Sequence, residues 1–140
     1  MSNASSKSYL TPEQYEAIEE RSEIRHEYYR GVMFPVASGT QNHCLIAGNI
    51  AFDLHDQFAA RQCEVYQSAM RVRIQATGLY TYPDVVAVCG PTAFATGEQT
   101  TLLNPTVVFE VLSPISWKGT RASASGFSTT PRVDGIGKVQ

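Results

Sequence analysis

Tyr82-Pro83-Asp84-Val85-Val86-Ala87-Val88-Cys89 sets an acid at the mouth of an otherwise apolar run. Pro83 has no backbone donor, so it suits the first residue of a strand and not its middle. A nearly continuous apolar strand is one covered on both faces, as the central strands of layered α/β domains are. Taken alone, Asp84 is equally well a turn cap. A second apolar run, Thr106-Val107-Val108-Phe109-Glu110-Val111-Leu112, carries an acid within it. Strand alternation sets Glu110 on one face with Val108 and Leu112. An unpaired carboxylate buried there costs on the order of several kcal/mol. It requires a basic partner, a proton or a metal ion. An ion pair with Arg71 or Arg73, or an exposed strand edge, is the ordinary explanation.

The chain upstream reads as helix, hairpin, helix. Thr11 is a good helix N-cap, Pro12 fits the first helical position, and Gln14 completes a capping box. Leu10, Tyr15 and Ile18 form an apolar stripe, and Glu19, Glu20 and Glu23 a solvated face. Arg30-Gly31 lies between Glu27-Tyr28-Tyr29 and Val32-Met33-Phe34, a hairpin turned on glycine. A second helix is expected from Gln41 to about Ala60, with Leu45, Ile46, Ile50, Leu54 and Phe58 facing the core and Gly48 marking close packing. Val65 to Ile74 is expected as a strand with Met70, Val72 and Ile74 buried and Arg71, Arg73 and Gln75 wet. Residues 90–104 read as a polar loop. The fold class is therefore mixed α/β, in one domain over residues 9–115. Residues 1–8 read as a flexible arm, and residues 116–140, rich in Gly, Ser and Thr, show no periodicity.

Hydrophobic residues make up 43% of the 140-residue chain and charged residues 17%, a globular composition. The formal charge of −2 gives no overall attraction to nucleic acid, so such contact needs a local basic patch or a bridging cation. Arg71 and Arg73 offer only a small patch. Cys44, Cys63 and Cys89 lack a Cys-x-x-Cys spacing, and no apolar segment reads as a signal or a membrane span. The expected location is cytoplasmic. His26, His43 and His55 have no zinc-type spacing, and no glycine-rich phosphate loop is present.

Asp84 and Glu110 on adjacent strands would repel unless a cation lay between them. Their oxygens favour magnesium (or manganese) over zinc. Such an ion polarises a phosphodiester and lowers the pKa of a bound water. The motifs Pro83-Asp84 and Glu110-Val111-Leu112-Ser113-Pro114 resemble the Uma-two family of restriction endonucleases, a branch of the PD-(D/E)XK nuclease superfamily. Tyr9-Leu10-Thr11-Pro12-Glu13, Arg25-His26-Glu27-Tyr28-Tyr29 with Gly31, Asn42-His43, Met70-Arg71-Val72 and Thr77-Gly78-Leu79-Tyr80-Thr81-Tyr82 are similar to it as well. The resemblance runs from about Tyr9 to Ser113. It implies a restriction-endonuclease-like fold with a central mixed sheet flanked by helices, incomplete at the C-terminus. It implies Asp84 and Glu110 as catalytic metal ligands, Glu27 as an outer ligand or structural acid, and DNA as substrate. Pairing with Arg25 or Arg71 is the alternative for Glu27. His43 falls near the site without an assigned role, or is a surface residue.

The chain departs from the family in places. Leu112 stands where the superfamily lysine usually does, two residues after the second acid. In the family that lysine instead follows the Ser-Pro segment, and Lys118 lies here in an unmatched context. Arg30, Val32 and Ala69 stand where acids are common. A frameshift near Ser116 would account for the change of character, since an offset frame of Trp117-Lys118-Gly119-Thr120 can encode Glu-Gly-Tyr. The expectation is a magnesium-dependent endonuclease impaired by loss of the lysine-bearing segment, able to form a homodimer. The competing readings are an inactive DNA- or protein-binding module or fragment, and a hydrolase of another phosphate substrate.

Overall fold

In a computed structural model, residues 9–95, 97 and 99–112 are described; the expected N-terminal arm and atypical tail lie outside them. Helix α1 spans Pro12–Glu19 and α2 spans Gln41–Phe58, followed by a short 3-10 turn at Ala59–Arg61. The strands are β1 (His26–Tyr29), β2 (Val32–Pro35), β3 (Cys63–Gln67), β4 (Arg71–Ile74), β5 (Leu79–Thr81), β6 (Val85–Cys89), β7 (Thr101–Leu102) and β8 (Val107–Phe109). The class is mixed α/β, and the strands divide between two sheets. One has the order β2-β1-β5-β4-β7 and the other β3-β6-β8. The β4–β7 pair is parallel and the other strand pairs are antiparallel.

The capping box is formed as expected: Thr11 Oγ1 accepts from the Gln14 N–H, and Gln14 Oε1 from the Thr11 N–H. Helix α1 is then bolted to the larger sheet by tyrosines. The rings of Tyr15, Tyr28 and Tyr80 meet at centroid distances of 4.9, 5.0 and 5.8 Å. Their hydroxyls donate to the carbonyls of His26 and Leu10 and to Glu16 Oε1. The hairpin turn is also as expected, with φ of 43° at Arg30 and 87° at Gly31.

The smaller sheet lies between two apolar layers. Val65, Val85, Ala87 and Val107 pack against Ala51 and Leu54 of α2. On the opposite face Val86, Val88 and Val108 meet Val72 and Leu102 of the larger sheet. Strand β6 is covered on both sides, which is why its sequence is apolar throughout.

Several expectations change. Residues 65–74 are not one strand: Met70 N–H bonds the Gln67 carbonyl, a turn that sends β3 and β4 into different sheets. Arg71 is buried at 7% exposure rather than wet, and Glu19 at 8% rather than solvated. Leu45 and Ile46 are exposed, because α2 buries the stripe of Ala51 and Leu54 instead, and Ile18 is exposed because α1 buries Tyr15 and Glu19. A Cβ at Gly48 would meet nothing within 4 Å, so close packing does not explain it. Residues 90–104 contain β7, whose Leu102 is fully buried. Cys63 and Cys89 are register partners joined by a disulfide, although no short cysteine spacing marks the pair in the sequence.

Candidate functional site

Asp84 occupies the residue before β6, set there by the buried Pro83. Its side chain is 13% exposed. Oδ2 accepts a hydrogen bond from the Val111 backbone N–H at 2.7 Å and lies 3.2 Å from His43 Nε2. Two chain segments and a helix start thus converge on one carboxylate.

The register of β6 and β8 runs from there toward Glu110, the residue after β8. Val85 pairs with Phe109, Val86 with Val108 and Ala87 with Val107. The pairing ends at Val85–Phe109; continued one antiparallel step it would set Asp84 opposite Glu110, beside the bond from the Val111 N–H to the Asp84 carboxylate. Glu110 is half-buried.

His43 comes from the first turn of α2. Thr40, the N-cap, accepts from the His43 N–H at 3.3 Å. A Cβ on Gly39 would lie 2.6 Å from His43 Nδ1. The imidazole therefore lies in space that only glycine leaves open, with its other nitrogen on Asp84. Sequence reasoning placed His43 near the site only through the resemblance. The Gly39-Thr40 pair ahead of a helix was the local signal, and it shows how the ring is held.

Glu27 sits elsewhere in the network. On β1, its Oε1 accepts from the Thr81 hydroxyl at 2.6 Å, and Thr81 ends β5 just before the turn to Asp84. The expected partners Arg25 and Arg71 are otherwise engaged: Arg25 Nη1 donates to the Ser68 carbonyl and Arg71 Nε to Thr101 Oγ1. Among the described residues no group of three or more His, Cys, Asp or Glu side chains gathers closely enough to hold a metal ion. The donor chemistry at Asp84 and Glu110 is nevertheless that of an oxygen-preferring cation, which keeps several of its own waters and needs only one or two carboxylates.

A second polar network flanks this one. Glu19 accepts from the His26 N–H at 2.7 Å and the Tyr82 hydroxyl at 2.8 Å, and its other oxygen lies 2.9 Å from His26 Nδ1. Burial, and then the bond to Glu19, push the Tyr82 phenol up to about 12, while Arg71 opposes the shift. Burial raises Tyr80 to about 12 as well, with its bond to Glu16 contributing next. Both phenols therefore remain neutral donors at ordinary pH.

Comparison with known proteins gives a family, two relatives and a shared fold. The family model described as "Putative restriction endonuclease" (Uma2) matches residues 12–122, beyond the stretch from about Tyr9 to Ser113 over which the sequence resembles that family. This chain belongs to that family. It is 33% identical over 105 residues to the uncharacterized protein slr1290 of Synechocystis, and 31% identical over 118 residues to the uncharacterized protein sll1609 of the same organism. These alignments cover 75% and 84% of the chain but 54% and 62% of the relatives. The chain therefore spans little more than half the length of the curated relatives it matches. Its fold is shared with a crystal structure described as a putative nuclease belonging to DUF820 from Anabaena variabilis. That match has a TM-score of 0.64 at 15% identity and covers 84% of this chain and 65% of that one. No helix among the described residues is long and apolar enough to cross a membrane.

Proposed function

We propose that this chain is the metal-binding portion of a DNA endonuclease, with Asp84 and Glu110 holding magnesium (or manganese) and Glu27 as an outer acid. The observation that supports the reading is the β6–β8 register, which continued one step past Val85–Phe109 would set Asp84 opposite Glu110, together with the Val111 N–H on the Asp84 carboxylate. A magnesium ion held by Asp84 and Glu110 would supply polarisation of a phosphodiester and a lowered pKa for a water. The protein's own part is to hold two carboxylates at one end of neighbouring strands, and to fix one of them with His43 and a backbone donor. Thr81 holds Glu27 at 2.6 Å, close in sequence to Asp84, as a supporting acid.

Leu112, two residues after Glu110, cannot stabilise developing negative charge as a lysine does. The proposal is of an enzyme impaired by loss of the lysine-bearing segment; a frameshift near Ser116 is one cause, set against a family match that runs on to residue 122, and the nucleotide sequence of the gene tests it. Domain limits of 9–115 and a homodimer that meets both DNA strands belong to the same reading. A cytoplasmic location does too, and the Cys63–Cys89 bridge makes it testable through the bridge's redox state in cells. The Leu112 observation also favours a second reading, a catalytically silent DNA- or protein-binding module.

The test is calorimetric magnesium titration of the whole protein, its Glu110→Ala variant and its Asp84→Asn variant, beside plasmid cleavage. Binding lost in both variants with weak or no cleavage is the expected result. Robust cleavage that survives Asp84→Asn overturns the assignment of the site. Salt-sensitive DNA binding without cleavage selects the module.

A further inference from the structure

We propose that the outward face of α2 pairs two copies of this chain, antiparallel, about a twofold axis that crosses the helix between Gly48 and Asn49. The face of α2 buried against the smaller sheet is that of Ala51 and Leu54. Turned away from it stand Gln41, Leu45, Asn49, Phe52 and Asp56, spaced by four, four, three and four residues, which keeps them in one stripe. All five are exposed, Leu45 at 56% and Phe52 at 74%. Single apolar residues on a surface are ordinary. A leucine and a phenylalanine seven positions apart on the solvent side of one helix have the spacing of a helix–helix seam.

Three observations favour a second copy as the occupant. The stripe is symmetric about its middle. Leu45 lies three positions before Gly48 and Phe52 three after Asn49, while Gln41 and Asp56 each stand seven positions out. An antiparallel twofold therefore sets Leu45 against the partner's Phe52 on both sides of the crossing, so that one patch complements itself. Gly48 is the second. It costs the helix about 1 kcal/mol relative to Ala, and a Cβ there would meet nothing within 4 Å, so its own chain makes no use of the gap. The crossing sets the partner's Asn49 beside that gap, where a missing Cβ lets two backbones approach. The third is charge. The first turn of α2 has no acid, and Thr40 takes the N–H groups of His43 and Cys44 but not those of Gln41 and Asn42. Asp56 lies in the last turn, at the negative end of its own helix dipole. Antiparallel pairing moves each Asp56 beside the positive first turn of the other helix, opposite Gln41.

The pairing leaves the candidate metal site uncovered. His43 meets Asp84 on the side of α2 that faces the smaller sheet, away from the stripe. The stripe gives the homodimer of the nuclease reading a surface, and rests on that reading only for what the pair does; the contact itself requires neither metal nor DNA. A face about 22 Å long and about 10 Å wide is smaller than the roughly 800 Å² per partner of a stable complex. The pair is accordingly weak, with a dissociation constant on the order of 10–100 μM.

The experiment is sedimentation equilibrium of the full chain from about 5 to about 500 μM, free of divalent metal and DNA, a range that brackets such an affinity. A monomer–dimer equilibrium is expected. Phe52→Lys and Leu45→Glu, both at exposed positions and with the fold checked by circular dichroism, are each expected to weaken it about tenfold or more. The double variant is expected to recover part of the loss, because antiparallel pairing sets each introduced acid against an introduced base, whereas parallel pairing sets like charges together. Asn49→Cys is expected to cross-link two copies on mild oxidation beyond the level given by the free Cys44, and Gln57→Cys, exposed on another side of α2, is not. A monomer at every concentration overturns the proposal. A lower melting temperature in Phe52→Lys then assigns the stripe to the rest of this chain, and an unchanged one to an unrelated protein. A dimer that survives both single substitutions, or a double variant no better than either, overturns it as well. A magnesium titration of the same samples separates the two readings. Pairing without metal binding sinks only the nuclease, and metal binding by a monomer sinks only the pairing.

Discussion

The Asp84 carboxylate accepts the backbone N–H of Val111 at 2.7 Å, so the acid before β6 is tied to the residue that follows Glu110. The bond does more than join two segments. It engages Oδ2, the oxygen that also faces His43, and ties the Asp84 side chain to the segment that carries Glu110. Asp84→Asn preserves an oxygen that can accept from Val111 while removing the charge. The expected outcome is a retained fold, destabilised by about 1–3 kcal/mol as charged hydrogen bonds to Val111 and His43 become neutral ones, with magnesium binding lost in calorimetry. Asp84→Asn that unfolds the protein would show the residue to be structural.

His43 and Gly39 are expected to act as one unit. Gly39→Ala places a Cβ 2.6 Å from His43 Nδ1 and 3.3 Å from Cys44 Sγ, so the ring must leave Asp84. Both Gly39→Ala and His43→Ala should weaken magnesium binding by about 10- to 100-fold, the usual effect of losing a partner that orients a metal ligand. Equal affinity in all three proteins would remove His43 from the site.

The tyrosine cluster should dominate the stability of the α1 end. Tyr15→Phe removes a 2.7 Å bond to the His26 carbonyl while keeping the ring, at a cost of about 1 kcal/mol. Tyr15→Ala also removes the stacked and edge contacts, at about 3–5 kcal/mol. Urea unfolding of both variants measures the difference.

Alkaline pH should loosen the same region. The Tyr80 and Tyr82 phenols are raised from 10.0 to about 12 in the folded chain, by burial first and then by their bonds to Glu16 and Glu19. A raised folded value means the contribution is complete below the unfolded value and is lost as pH rises through the folded one. Stability should therefore be flat up to pH 10.0 and fall between there and about 12. Thermal melts across that window give the slope, and Tyr82→Phe should make it shallower.

Reduction of the Cys63–Cys89 bridge, which closes a loop with a sequence separation of 26, should cost about 3 kcal/mol. Melting with and without reductant, beside Cys63→Ser/Cys89→Ser, checks it. An unchanged melt would mean that the β3–β6 register alone holds that end of the sheet.

Local chemistry was legible in the sequence. Thr11-Pro12 and Gln14 wrote the start of α1, Arg30-Gly31 the hairpin, and the uninterrupted valines of β6 its position between two layers. Asp84 and Glu110 stood out because acids beside apolar strands need a reason. Long-range choices were not legible. Arg71 alternates with buried residues, yet tyrosines from α1 and β5 enclose it, and no window of β4 contains those rings. Leu45 and Leu54 look alike in a helical stripe, but only the sheet decides which face α2 presents. The Cys63–Cys89 pair depends on a register between strands 26 residues apart, which spacing rules cannot supply.

Gly31 joins two events that the chain performs far from the acids. At φ of 87° it closes the hairpin, and a Cβ there would fall 2.6 Å from the Tyr9 Cβ. Its carbonyl receives the Leu10 N–H at 2.9 Å, directly ahead of the Thr11 cap. The turn therefore serves as the dock on which the first helix is launched, and a side chain at that one position would unmoor both.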